Sequence, residues 1–471
     1  MKAMDILRGL YVRSPRFVQN AARPLVSLVP TQLKFGRSYA DWRQRISRAA
    51  VDPAFAADQH LVSLRKVIAK AQAGSPFYRD QMESAFGKAF DPSRLMPEDV
   101  RRLPVQTKSS FKAAGDAVLA VPRRQLDRAE TSGSNGEPSF AFYLDKDRSP
   151  REMAFVYDGW SRIGFDENTP RASFRGFAFD NESQVYDWDP ALKELRCAVF
   201  PLGEQEAARY VDEIDRRQIQ YFYGYPSAIE LFCRRLVQIG RKPQRPILGI
   251  LPISEPLYDH QRRLMRSVLG PVQLAPFYGL SEKVAFAIEL EGDEGIYEFN
   301  PLYGLTELLD EDDNPVTEAG REGRIVATGF LSTGMPFIRY DTRDFARLVE
   351  LPTADNGYRL RIAGLAPRRK PGFLISFEGQ RIAALDIAPE DPEFFKGISE
   401  YQFYQNQPGI VIMRYILSEG GSVADVERMA NHFAEKVRHT LSFEPQQVTK
   451  IAGGRSGKRA FIDQQLDLEF Y

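Results

Sequence analysis

The clearest helical pattern lies in residues 61–74, where Leu61, Leu64, Val67, Ile68 and Ala71 recur at a spacing of three and four before Gly74. That spacing puts one apolar stripe on a helix, and glycine suits the position just after a helix end. A second such stripe, Ile229, Phe232, Leu236 and Ile239, runs between Pro226 and Gly240. Proline fits the first turn and glycine the stop, so a helix is predicted there. The apolar run PILGIL at 246–251 reads as a buried strand, and helix followed by buried strand indicates α/β architecture. Towards the end of the chain, YQFYQN and IVIMRYIL flank a Gln-Pro-Gly turn, as in a hairpin. A helix capped by Ser422 and Asp425 follows, with Val426, Phe433, Val437 and Leu441 as its buried stripe.

These patterns divide the chain. Residues 1–363 form a large α/β unit, with 1–55 as a helical N-terminal extension, and 364–471 form a small α+β unit of a size that folds alone. The proline-, glycine- and arginine-rich segment 363–373 reads as the linker between them. At 471 residues the chain is long enough for two or more domains. Sixty-three basic residues balance sixty-three acidic ones, which leaves no overall positive field to attract nucleic acid. Cys197 and Cys233 are expected in the core of a protein in a reducing, cytoplasmic compartment, and His60, His260, His432 and His439 lack the spacing of a zinc site. No apolar run reaches the ~20 residues that span a bilayer. At the N-terminus, Lys2, Arg8, Arg13 and Arg16 alternate with Ile6, Leu7, Leu10, Tyr11 and Phe17. That mixture fits a helix packed on its own domain and also fits a peripheral membrane contact.

Candidate chemistry enters with five ordered segments. Thr131, Ser132, Gly133, Ser134, Asn135 and Gly136 form a hydroxyl- and glycine-rich loop able to surround phosphate oxygens, although no Gly-Lys-Ser/Thr of a Walker loop follows. Downstream stand ISEPL at 253–257, FYGLSE at 277–282, FIRYDTRDFARL at 337–348 and GGRSGKRAF at 453–461. Each segment alone has a plainer reading: a flexible connection, a core tyrosine, a solvated glutamate or an exposed turn. In this order, and with GYPSAI at 224–229, the chain from about residue 60 onward resembles the adenylate-forming superfamily in its phenylacetate-CoA ligase-like branch, and especially its capsular polysaccharide biosynthesis type.

That resemblance implies an enzyme that joins a carboxylic acid to AMP with release of pyrophosphate, then passes the acyl group to a thiol such as coenzyme A or to an amine. ATP and Mg2+ are the implied cofactors. The loop Thr131–Gly136 would hold the β- and γ-phosphates, with Asn135 in place of the usual Thr or Ser and Ser139 where many relatives have lysine. Ser254, Glu255 and Pro256 would form the adenine-side loop, with Tyr278 and Gly279 opening the motif in which the tyrosine ring stacks on the purine. Ser281 would reach the α-phosphate, Glu282 would hold magnesium, and Asp344 would accept hydrogen bonds from the ribose diol. Asp341 is left as a turn or surface residue, and Arg339 or Arg343 as a partner of phosphate or of these aspartates. Lys458 would neutralise charge during adenylation from a small mobile domain. The hinge departs from the pattern, because Leu365 follows Gly364 where an arginine is usual. A non-catalytic nucleotide-binding or assembly protein descended from such ligases is the alternative, which the presence of Glu282, Asp344 and Lys458 opposes. The identity of the acid, the choice of acceptor and the oligomeric state are not written in any single motif.

Overall fold

A computed structural model of the chain describes residues 35–130, 140–175, 184–199, 202–367, 373–383, 397–418, 420–451 and 462–466, with Val29, Phe177, Phe179 and Ile387 beside them. The basic and apolar N-terminal residues lie outside this set, as do Thr131–Ser139 and Lys458. Among the described residues no helix is long and apolar enough to cross a membrane.

The N-terminal region is helical, through Arg37–Val51, Pro53–Gly74 and Pro76–Phe86. The first packs on the helix Arg148–Ser161, with Trp42 against Phe155 and Arg43 paired with Asp158 at 2.9 Å. In the second, Leu64, Val67, Ile68 and Ala71 are buried as the periodicity predicts. The helix runs one residue further than expected. Gly74 is its last residue and Ser75 the cap, and glycine is required there because a Cβ would lie 2.2 Å from the Ala120 carbonyl oxygen.

A short hairpin, β1 (Leu126–Glu130) and β2 (Ala141–Asp145), follows, and its Glu130–Ala141 pair fixes the two ends of the Thr131–Ser139 loop. The next six strands form one sheet: β3 (Arg171–Phe174), β4 (Tyr186–Asp189), β5 (Glu194–Cys197), β6 (Tyr221–Gly224), β7 (Gly249–Pro252) and β8 (Gln273–Leu274). Their order is β4-β5-β3-β6-β7-β8, parallel except for β4. The helix Pro226–Ile239 lies where the pattern puts it, with Gly240 left-handed at its end. Strand β7 begins three residues later than the apolar run, whose first residue, Pro246, has no N–H for the ladder. Ala172, Phe174, Phe222 and Ile250 bury one sheet face against the helices Glu204–Arg216 and Pro226–Ile239, where Cys197 and Cys233 are buried free thiols.

A seven-stranded antiparallel sheet comes next: β9 (Phe277–Gly279), β10 (Phe286–Leu290), β11 (Asp293–Phe299), β12 (Gly304–Leu309), β13 (Glu322–Gly329), β14 (Tyr340–Glu350) and β15 (Arg361–Pro367), in the order β12-β13-β14-β15-β11-β10-β9. Strand β15 corrects the linker expectation, since residues 363–367 pair with β14 and β11 instead of forming an irregular connection. The end of the large unit at residue 363 therefore falls inside a strand.

After the two-stranded β16 (Phe373–Ile375) and β17 (Arg381–Ala383) come β18 (Ile398–Gln407) and β19 (Ile410–Leu417), the hairpin expected around Gln-Pro-Gly. Strands β20 (Ser442–Gln447) and β21 (Ile462–Gln464) flank it, and the helix Val423–Lys436 covers one side. Its predicted cap is present, with Asp425 accepting from the Ser422 backbone N–H at 3.0 Å. Phe403, Phe433 and Phe443 form the centre of this unit. Its apolar residues join those of the parallel sheet in one continuous cluster.

Candidate functional site

Between β9 and β10 the chain reverses through Leu280, Ser281, Glu282 and Lys283, with Lys283 in the left-handed region at φ 58°. Ser281 and Gly279 are exposed. Glu282 is turned inward, only 4% exposed, and accepts a 2.7 Å hydrogen bond from the Tyr340 hydroxyl. The solvated reading of this glutamate is thereby overturned. Burying a carboxylate is costly unless it is hydrogen-bonded and balanced by charge. The Lys108 ammonium, 3.9 Å away, supplies the balance.

Tyr278 combines two readings, core packing and site chemistry. Its ring is buried edge-on to Phe299, while its hydroxyl donates to Asp344 Oδ2 at 2.9 Å. Asp344 reaches that position through an irregularity in β14. Arg324 pairs with Phe345 and Val326 with Asp341, so three residues of β14 oppose one of β13, and Arg343 adopts φ 65°. Such a bulge re-aims side chains out of the regular alternation. Burial pushes the Asp344 carboxyl up to about 6, with the Tyr278 hydrogen bond opposing the rise, the Glu282 charge adding to it and Lys108 opposing it.

The neighbouring residues have other work. Asp341 is buried and paired with Arg324 at 3.0 Å, which corrects its surface reading. Arg339 is also buried, bonded to Glu307 at 3.1 Å and to the Arg101 and Leu103 carbonyls, so it holds the fold together.

Lys108 was missed by the motif reading. It opens the helix Lys108–Ala114, capped reciprocally by Thr107 and Ser110. Gln106, two residues earlier, donates from its N–H to Arg339 O and accepts from Asp341 N–H, both at 2.8 Å. These bonds fasten the start of the helix to β14 beside Glu282. The capping box in Gln-Thr-Lys-Ser-Ser is legible in the sequence, but its proximity to the carboxylates comes from a bridge of more than 200 residues.

At the C-terminal edge of the parallel sheet, β6 ends at Gly224 and β7 at Pro252, the edge where open α/β sheets take their ligands. Ser254 follows, exposed, with φ 65°. The Glu255 side chain is occupied, since its two oxygens accept from the Ser227 N–H and hydroxyl, each at 3.0 Å, at the start of the helix Pro226–Ile239. Burial pushes this carboxyl up to about 7, against those two hydrogen bonds. Pro256 is partly buried beside it. The structure thus brings Tyr278, Glu282, Asp344 and Lys108 together and puts Ser254–Pro256 at the sheet edge, whereas Thr131–Gly136 and Lys458 lie outside the described residues.

The chain as a whole is similar in fold to a solved structure of 2-hydroxyisobutyryl-CoA ligase in complex with 2-HIB-AMP and CoA. It superposes with a TM-score of 0.54 at 18% identity, covering 87% of this chain and 90% of that one. The fold is that of the adenylate-forming ligases. No protein-family model matches the chain. Over 322 residues it is 27% identical to a phenylacetate-coenzyme A ligase of Aromatoleum evansii, covering 64% of this chain and 68% of that protein. A phenylacetate-coenzyme A ligase of Pseudomonas putida is 25% identical over 319 residues, with 64% and 70% covered. For an adenylate-forming fold the carboxylates are of the right kind. Asp344 offers acceptor oxygens suited to a vicinal diol, and a single buried glutamate fits magnesium, which takes most of its other ligands from water and phosphate.

Proposed function

We propose that the chain activates a carboxylic acid with ATP as acyl-AMP, releasing pyrophosphate, and then transfers the acyl group to the thiol of coenzyme A. The observation that supports this most is the pair of inward carboxylates, Glu282 and Asp344, held by Tyr340 and Tyr278 within reach of Lys108. In this reading Asp344 takes the ribose hydroxyls and Glu282 takes Mg2+ on the nucleotide phosphates. Ser281 reaches the α-phosphate, and Ser254–Pro256 border the adenine beside Tyr278 and Gly279. Lys108 offsets part of the repulsion between the two carboxylates and would face the phosphates of bound nucleotide. Thr131–Gly136 hold the β- and γ-phosphates, and Lys458 serves the adenylation step.

The acid carboxylate attacks the α-phosphorus and pyrophosphate leaves. No protein nucleophile is required, because alignment and charge stabilisation carry such a transfer. The acyl–phosphate bond then breaks as the thiol sulfur attacks the carbonyl carbon, releasing AMP. The ordered motifs, with GYPSAI at 224–229, support placing the chain in the phenylacetate-CoA ligase-like branch and with its capsular polysaccharide type. The experiment is acid-dependent exchange of labelled pyrophosphate into ATP over a panel of aliphatic, aromatic and amino acids, with wild-type protein and Glu282→Gln. Exchange that depends on Mg2+ in the wild type and falls at least ~100-fold in the variant is expected. Unchanged magnesium dependence in Glu282→Gln would remove this residue from the site.

A further inference from the structure

The face of the parallel sheet opposite the main core carries charge. Side chains alternate across a strand, so Ala172 and Phe174 face the Pro226–Ile239 helix while Arg171, Ser173 and Arg175 lie on the other side. Glu194 and Arg196 of β5 and Tyr221 and Tyr223 of β6 share that side by the same alternation. Most of these groups satisfy one another. Glu194 accepts from Arg171 at 3.3 Å, from Ser173 at 2.5 Å and from Arg196 at 3.4 Å, and Arg196 also holds Asp189 at 2.6 Å.

Arg175 stands apart. Among the described residues its guanidinium forms no ion pair, and its Nε is buried without an acceptor. Its Nη1 donates to the Tyr223 hydroxyl at 3.3 Å, its charge lies 5.4 Å from the centre of that ring, and the guanidinium also bonds the Tyr225 side chain, so both of these hydrogen-bond partners are neutral tyrosines. Glu194 is already bonded to Arg171, Ser173 and Arg196, and it acts on Arg175 only through its charge. A second orphan donor also neighbours Tyr223: Trp160, 5.3 Å ring to ring, has its indole Nε1 buried without an acceptor. Trp160 in turn packs at 6.5 Å on Phe277, the residue before Tyr278. Arg175 also sits at the ligand-facing edge, since Tyr225 N–H donates to Phe174 O at 3.0 Å and Ile253 N–H to Gly224 O at 3.0 Å. A row of side chains therefore runs from Arg175 through Tyr223 and Trp160 to β9, whose Tyr278 hydroxyl bonds Asp344.

Buried donors without acceptors are costly, and a guanidinium matches the planar geometry of a carboxylate. We propose that Arg175 recognises a second carboxylate on the acid, so that the substrate class is a dicarboxylic acid instead of a simple aliphatic or aryl acid. This rests on the adenylation reading for the other end of the substrate. It assigns Arg175 a specificity role that the motifs do not contain.

Calorimetric titration separates the two ideas because it needs no turnover. Glutarate and adipate are compared with the matched monoacids valerate and hexanoate, on wild-type protein, Arg175→Met and Arg175→Lys. The wild type should bind the diacids about 10- to 100-fold more tightly than their partners, the range of one charged hydrogen-bonded contact. Arg175→Met should erase that difference and leave the monoacids unchanged, and Arg175→Lys should restore part of it. Where the methionine variant fails to fold, Arg175→Gln replaces it. Equal binding of the two classes by the wild type, or equal weakening of both in the variants, would overturn the assignment. Pyrophosphate exchange with the same acids reports on adenylation separately: exchange with monoacids alone leaves adenylation standing and removes the Arg175 role, whereas diacid binding without exchange does the reverse.

Discussion

At the scale of single residues, the site carries groups whose burial works against stability. Asp344 is the clearest. Its free side chain loses its proton near 3.8, but in the fold it keeps the proton up to about 6. The folded state therefore binds more protons than the unfolded chain between these values, and stability falls as pH rises from about 4 through 6. Asp344→Asn removes that charge while its amide oxygen still accepts from Tyr278. The variant should be more stable than wild type at pH 8 by on the order of 1 kcal/mol, after a discount for solvent screening, with the gain gone near pH 4. It should bind ATP more weakly at every pH. Thermal melts at the two pH values and ATP calorimetry check this, and a stability gain that persists at pH 4 would show a cause other than the charge. The motifs named Tyr278, Glu282 and Asp344 because their types and order carry the resemblance. They were silent on Lys108 and Tyr340, whose roles arise only when β14, the β9–β10 turn and the Lys108 helix meet.

At the scale of elements, the hydrophobic period found what is locally decided and lost what depends on distant neighbours. The Pro226–Ile239 helix and the β18–β19 hairpin carry their own start, stop and turn residues, so both were legible. Residues 363–367 look like a linker by composition, yet strand pairing with β14 and β11 overrides that local preference. Gly224 shows how such pairing can also dictate a residue. Its φ is 149°, and a Cβ there would sit 2.1 Å from the Phe174 carbonyl oxygen. Gly224→Ala should push β6 from β3 and cost about 3 kcal/mol or more, combining backbone strain with overpacking. Its melting temperature and soluble yield should both fall. A variant as stable as wild type would mean that the β3–β6 edge is not held as tightly as described.

At the scale of the whole molecule, the two functions of the proposed cycle need different neighbours around one nucleotide. The large unit supplies the inward carboxylates, and the C-terminal unit carries Ser-Gly-Lys with Gly453, Gly454 and Gly457 before the lysine. A lysine there should matter while negative charge builds at phosphorus and not during thiol attack on acyl-AMP already made. The most direct measurement compares the half-reactions in wild type and Lys458→Ala: acid-dependent pyrophosphate exchange, and thioester formation from synthetic acyl-AMP and coenzyme A. The account predicts exchange in the wild type, a loss of about 100-fold or more in the variant and near-normal thioester formation in both. An equal loss in the two half-reactions would contradict the role of Lys458, and wild-type protein that exchanges no pyrophosphate with any acid would contradict the proposed activity itself.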